Sequence, residues 1–505
     1  MLRLTRSTLF QPNARRYWTA STLTSRDPRS LISDRPSHPR PAVTVYALSK
    51  HYPQDLLPQL LDSIPTPSIG VLAELDPVHH PPYDVSPHSS TPAPPFSLSI
   101  AKFHPPPHVR AIPFKSTLTG RPNISLGREH KPAGSNSVQS QESLDVENEA
   151  FEAFLRGGKW AFGDNAGPLA SNANSSKQAT IDELRDVDPK DVKEIVCFTA
   201  DRIQPFLAAL SAFPESKTLG MMSTSTPFHS SLQQPFTLFY NHERPAGTGA
   251  VGVAIVQEAS KAPAQRNGAS HPTIDYGGMV QFGPTVEVTN ARGNIVLTLS
   301  SKNAAQLLLS SVQALPSSQG SRPDEFEPSM SNPTQPSTRH ISKEKEFYAA
   351  IFDSAAAPVG SSSIVEGGDA TAAARVDLGK AKLVCRIMAG DPKRGAVSFE
   401  TEEQVNEGDT VIFLHRPSAE LDETEARAPS SATFRFTSVS PSYVSPIPTW
   451  PVQSPPSDSS TSVDVEKREG FNAWSENGVV VSRKRANGDG IEVRLAAIEG
   501  TSVQA

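Results

Sequence analysis

The chain has 505 residues, enough for two to four domains at roughly 100–200 residues each, yet 47 prolines stand against 22 phenylalanines and 4 tryptophans, and 37% of residues are apolar. That composition predicts packed structure interrupted by long loops rather than one continuous globule. The net charge of −6 is uneven: the first 40 residues hold eight arginines and two acids, and the acidic remainder excludes general nucleic-acid binding, which needs a basic surface to meet phosphate.

Residues 1–26 are rich in Arg, Ser and Thr, contain no acid and lack the apolar run of a secretory signal. This is the composition of a mitochondrial transit peptide, with Arg15-Arg16-Tyr17 as a processing neighbourhood; a disordered basic tail is the alternative. The whole of 1–40 is expected to be transit peptide and disordered leader, and a matrix location follows. No later segment approaches 18 uninterrupted apolar residues, so no spanning helix is expected.

After the leader, Ala42 to Ala47 reads as a strand, Gln54 to Ile64 as a short amphipathic helix and Ser68 to Leu75 as a second strand. Short connections between them predict a parallel βαβ start to an α/β sheet. Phe96 to Phe103 alternates as a strand, and the region around 104–180 reads as a disordered insertion, with one or two helical turns at Glu149 to Leu155. Order is expected again at Val192 to Phe198, followed by Asp201 as a helix cap and a helix from Arg202 to Phe213 with Ile203, Phe206, Leu207 and Leu210 on one face.

Further strands are read at Leu219 to Met222, Phe236 to Tyr240, Ala250 to Val256, Gly278 to Phe282, Thr285 to Thr289 and Ile295 to Leu299, and a helix at Asn303 to Leu315 stopped by Pro316. Residues 317–342 form a linker rich in Pro, Ser, Gln and Asn. Lys343 to Phe352 reads as helix. The run Arg386 to Arg416 reads as strand, turn, strand, acidic connector, strand; 417–465 is a second Pro/Ser-rich insertion, and Ala473 to Ala497 supplies two or three more strands. The fold class expected is α/β to α+β: two lobes of mixed sheets flanked by helices, one over 41–316 and one over 343–500, with long disordered insertions.

No catalytic motif holds in its context. Gly247, Gly249 and Gly252 satisfy GxGxxG, but β-branched Val253 to Val256 follow, so the glycines enter a strand rather than a helix that would hold a pyrophosphate. Gly390 to Gly395 has the spacing of a phosphate-loop start but lacks the Lys and Ser/Thr that reach phosphate and magnesium, and Pro392 removes an amide donor. A turn explains it: Asp391 bonds the following backbone, Pro392 presets φ and Gly395 tolerates positive φ. Lys393 and Arg394 then project from a rigid turn, which makes Arg386, Asp391, Lys393, Arg394, Gly395 and Arg416 the candidate binding residues for an anionic group, with solvated turn charges as the alternative.

His79, His80, His88, His104 and His108 crowd one Pro-rich stretch without the ordered support of a metal site, and no metal or cofactor is expected. Cys197 and Cys385 sit inside apolar β-like runs as buried thiols; two cysteines exclude a disulfide scaffold.

Several runs resemble the FIST domain, a sensory-type module with N- and C-terminal parts found in prokaryotic signalling proteins and in a eukaryotic F-box protein. They are Ile195 to Phe213, GAVGVAI at 249–255, FGPTVEVTNARGNIVLTL at 282–299 with its following helix, RIMAGDPKRGAVSF with EGDTVIFLHR, and SENGVVVSR at 475–483. The chain is similar to a fungal-type mitochondrial member. The resemblance implies recognition of a small ligand, an amino acid or another small polar or anionic metabolite, and brings no catalytic residues. The alternative reading is a protein-interaction scaffold docking partners through the Pro/Ser-rich insertions, or a ubiquitin-ligase-type recruitment module without a recognisable F-box.

Overall fold

A parallel strand pair cannot be joined by a tight turn, and both expected strand–helix–strand units meet that constraint in the same way. In the computed structural model, β2 (Val43–Ser49) and β3 (Ser68–Ala73) are parallel neighbours joined through α1 (Leu57–Ser63), and β6 (Val192–Thr199) and β7 (Lys217–Met222) are joined through α2 (Gln204–Leu210). The residues described are 17–32, 39–75, 95–118, 181–201, 203–226, 235–244, 249–257, 272–315, 347–354, 377–391, 395–401, 404–416, 433–439, 465–484, 491–498 and 501–505. Each helix lays its apolar stripe on its sheet, Leu57, Leu60 and Leu61 in one and Phe206, Leu207 and Leu210 in the other. α2 begins at Gln204 with Pro205 in its first turn, later than an Asp201 cap would place it; the missing amide and preset φ of proline suit that position.

Each pair carries an antiparallel strand on the far side of its first strand: β4 (Phe96–Phe103) beside β2, and β9 (Ala250–Gln257) beside β6. The pattern recurs a third time, with β18 (Phe434–Ser438) parallel to β20 (Phe471–Ser475) and antiparallel to β23 (Ser502–Gln504). The crossover of this third unit, 440–464, lies outside the described residues. Around these units, β1 (Trp18–Ser25) joins β4, β5 (Val109–Ser116) joins β9, and β10 (Thr273–Asp275) joins β23. The second strands are extended by β8 (Leu238–Tyr240) on β3 and β21 (Val479–Lys484) on β7, and β19 (Glu466–Glu469) and β22 (Ile491–Ala496) complete the edges on β1 and β21.

The inward faces of the three sheets share one core. Alternation puts Val43, Val45 and Ala47 of β2, Val196 and Phe198 of β6, and Phe434 and Phe436 of β18 into it, with Trp18, Phe103 and Phe471. Phe198 lies 6.2 Å from Phe436 and 6.4 Å from Phe471, centre to centre, so rings from different sheets meet in the middle. Gly252 has the Phe114 ring where a Cβ would stand, 2.2 Å away, and it sits inside β9, which begins one residue after Gly249; Gly247 lies outside the described residues. Cys197 faces the α2 side, where burial pushes its thiol up to about 12.

Residues 280–416 build a different object. β11 (Val280–Arg292), β17 (Thr410–His415), β14 (Phe347–Phe352), β15 (Leu383–Asp391), β16 (Ala396–Phe399) and β12 (Ile295–Leu299) are antiparallel neighbours in that order, and β11 pairs with β12 as well, closing the sheet into a barrel; β13 (Lys302–Asn303) extends β12. Phe282, Phe399 and Phe413 are among the side chains that fill it, and α3 (Ala304–Gln313) packs on them through Ala304, Ala305 and Leu308. Asn303 caps α3 by accepting from the Gln306 amide at 2.9 Å.

Five expectations are corrected. The fold is mostly β-sheet with a few short helices, and the helix-flanked α/β description fits only the two βαβ units. Phe347–Phe352 is a strand where helix was expected over Lys343 to Phe352: the open edges of β15 and β17 on either side outweigh the helix preference of its alanines. The leader holds strand β1, with Trp18 8% exposed in the shared core, so only residues 1–16 and 33–38 of the expected disordered segment lie outside the described residues. The two insertions contain β5 and β18. Finally, the sheets cross the expected boundary between lobes: α3 and β11–β13 belong with β14–β17, and β18–β23 return to sheets begun before residue 280. Glu149 to Leu155, the 317–342 linker and His79, His80 and His88 lie outside the described residues.

Candidate functional site

The expected anion-binding residues fall at different places on the barrel. Arg386 is exposed on β15, directly across from Tyr348 on β14, and Arg416 follows β17 with its guanidinium 6.0 Å from the centre of the Tyr348 ring. Cross-strand partners share a sheet face, so both arginines stand on the outer face beside one phenol ring. The turn lies five residues further along β15, roughly 17 Å at ~3.3 Å per residue. Asp391 ends β15 opposite Ala396, while Lys393 and Arg394 lie outside the described residues.

Gly395 has a structural reason to be glycine. Its φ is +79°, a Cβ would stand 2.4 Å from the Asn303 side-chain nitrogen, and its carbonyl accepts from the Ala305 amide at 3.2 Å. The glycine thus seats the hairpin on the first turn of α3.

A second constellation, which local motifs did not show, lies in the three-sheet part. The second strand of each unit ends at the same place: Ala73, Ser223 and Ser475 are successive inward positions at the ends of β3, β7 and β20, and the next residues are Glu74, Thr224 and Glu476. The three ends hold one another in a ring. The Glu74 amide donates to the Trp474 carbonyl at 2.7 Å, the Asn477 side-chain amide to the Ser223 carbonyl at 2.8 Å, and the Thr224 amide to the Leu72 carbonyl at 3.4 Å.

On that ring sits a buried polar network. Lys50, just past β2, donates from Nζ to Glu74 Oε2 at 2.6 Å, with the Glu74 side chain fully buried. Glu74 Oε1 accepts from the Leu75 amide at 3.1 Å. The Thr224 hydroxyl lies 3.0 Å from Glu74 Oε2 and also contacts Glu476 Oε2, and Glu476 Oε1 accepts from the Ser225 amide at 2.7 Å. Burial raises the Glu476 carboxyl above its ordinary 4.5, and the Glu74 charge raises it further, against the Thr224 and Ser225 hydrogen bonds and Lys50.

Two fully buried hydroxyls at this end of the sheets, Thr199 Oγ1 closing β6 and Ser438 Oγ closing β18, find no hydrogen-bond partner among the described residues. Buried hydroxyls ordinarily find one, so they mark unfilled hydrogen-bonding capacity. A separate hollow of about 290 Å³ between α1 residues Leu57 and Leu61 and the turn at His242 and Arg244 is open to solvent and includes none of the network.

None of these residues was singled out from the sequence; the one local signal was Glu74, a charge ending an otherwise apolar strand pattern. Lys50, Thr224 and Glu476 carried no local mark. Among the described residues no group of three or more His, Cys, Asp or Glu is placed to hold a metal, and no helix is long and apolar enough to cross a membrane. No family model matches the chain, and no curated protein is similar to it in sequence.

Proposed function

We propose that the chain is a FIST-like small-ligand-binding protein whose ligand, an amino acid or a similarly small polar metabolite, is held where the three parallel strand pairs end. One observation carries this reading: Lys50 and Glu74 of the first βαβ unit, Thr224 after β7 and half-buried Glu476 after β20 form one polar network at the carboxyl ends of parallel strands, the end of α/β sheets where ligands bind. Apolar residues of similar volume hold a core as well as a buried ion pair does, so stability alone is a weak reason for the network.

The test is thermal shift of the full chain with amino acids, nucleotides and organic acids at millimolar concentration. An amino acid is expected to raise Tm, and Glu476→Gln to abolish the rise. Absence of any shift across the panel removes the reading. A second reading places an anionic ligand on the outer barrel face, favoured by the two guanidinium groups beside Tyr348; a shift with organic acids that Arg386→Ala and Arg416→Ala remove, and Glu476→Gln leaves intact, selects it.

The same reading sends the protein to the mitochondrial matrix by an address ahead of β1. A fluorescent reporter carrying residues 1–16 is expected to reach mitochondria as fully as one carrying 1–40. Cytosolic signal from both removes the address.

A further inference from the structure

Thr224 carries a single hydroxyl proton, yet its oxygen contacts two carboxyl oxygens, Glu74 Oε2 and Glu476 Oε2. A hydroxyl donates once and accepts through two lone pairs, while an ionised carboxylate only accepts. With both glutamates ionised, one contact sets oxygen against oxygen with no hydrogen between, in a buried place where the repulsion is poorly screened. One carboxyl therefore holds a proton.

The partners identify it. Both oxygens of Glu74 already act as acceptors, Oε2 from Lys50 and Oε1 from the Leu75 amide. Glu476 Oε1 accepts from the Ser225 amide, which leaves Oε2 to donate to Thr224. Donation then runs from Glu476 to Thr224 to Glu74, Lys50 donates to Glu74 from the other side, and these four side chains sum to zero charge. The groups facing Glu476 are Glu74 from the end of β3 and Lys50 from the end of β2; the extension of β7 brings Thr224 and Ser225, and its own turn Asn477.

We propose that the ligand of this site is an ammonium-type cation that exchanges for the proton Glu476 holds in its network with Thr224 and Glu74. This rests on the ligand-binding reading above. On binding, the Glu476 O–H bond breaks, its proton passes to solvent, and the ligand's ammonium takes its place against the carboxylate. Removal of the proton leaves one net negative charge beside the buried Glu74 carboxylate, which a ligand's ammonium group balances and a ligand without a cationic group does not. An ammonium also brings N–H donors to Glu476 Oε2 and to the Thr224 hydroxyl.

The test uses the full-length chain in two measurements. Infrared difference spectra at neutral pH are expected to show protonated-carboxyl intensity that disappears on alkaline titration, of which the Glu194 part persists in Glu476→Gln and the remainder is missing; Glu194→Gln is expected to keep that remainder, and its absence there overturns the proton on Glu476. Calorimetry with methylammonium chloride and with glycine, in two buffers of different ionisation enthalpy and with sodium chloride as control, is expected to show about one proton released per ligand and affinity rising about tenfold per pH unit while Glu476 is protonated. Binding without proton release overturns the exchange and leaves the ligand-binding reading standing. No binding of either probe at any pH, with the band present, overturns the cation while the proton on Glu476 stands.

Discussion

The barrel and the three-sheet core are assembled in different ways. Every strand of the barrel comes from residues 280–416 and every pairing in it is antiparallel, and its enclosed ion pair, Lys382 with Asp409 at 2.9 Å, is drawn from that same run. The three-sheet core draws strands from Trp18 to Gln504, and where its parallel pairs end, charged side chains from distant segments are enclosed together. Both regions therefore enclose charged groups that have to satisfy one another, the barrel within one run of sequence and the three-sheet core across the length of the chain.

The sharpest way to break this contrast is at the centre of the core. Phe436→Ala is expected to cost about 3–5 kcal/mol in urea unfolding, because the ring meets Phe198 from another sheet as well as Phe434 and Phe471 from its own. Lys50→Met is expected to cost about 3 kcal/mol by leaving the Glu74 charge buried and uncompensated, with Glu74→Gln added to it restoring most of the loss. A neutral single variant would mean that the pair is not enclosed.

Gly395→Ala is expected to cost about 1–3 kcal/mol, from positive φ and the clash with Asn303, measured the same way. Glu476 supplies a pH test. Its folded carboxyl is raised above 4.5, so the stability it contributes is full below 4.5 and is lost as pH rises through the folded value, at a slope of at most ~1.4 kcal/mol per pH unit. Glu476→Gln is expected to flatten that slope; an unchanged slope sinks the assignment. Glu194, pushed up to about 7 by burial, contributes a similar loss between 4.5 and 7 that persists in the variant. On the outer barrel face, Arg416→Gln is expected to cost about 0.5–2 kcal/mol, the range of a cation–π contact at a half-buried site.

Local pattern made β2, α1, β3, β6, β7 and α3 legible, because alternation, helical stripes and the Asn303 cap act over a few residues. It failed at Phe347–Phe352, whose alanines read as helix until two strand edges are placed beside them, and at β5 and β18, whose short alternations were hidden in Pro/Ser-rich surroundings. The site was less legible still. Arg386 and Arg416 were found because they lie in one run of sequence, whereas Lys50, Thr224 and Glu476 become neighbours only when the three strand pairs meet.

The pairing of β1 with β19, and the place of Val503 beside Trp18 in one core, set a timetable. At ~5–20 residues per second of synthesis, roughly 20–100 s separate the emergence of Trp18 from that of Val503. Through that interval the inward faces of the early strands lack their final cover, so the core closes only once Val503 has emerged, and the early apolar strands wait uncovered until then.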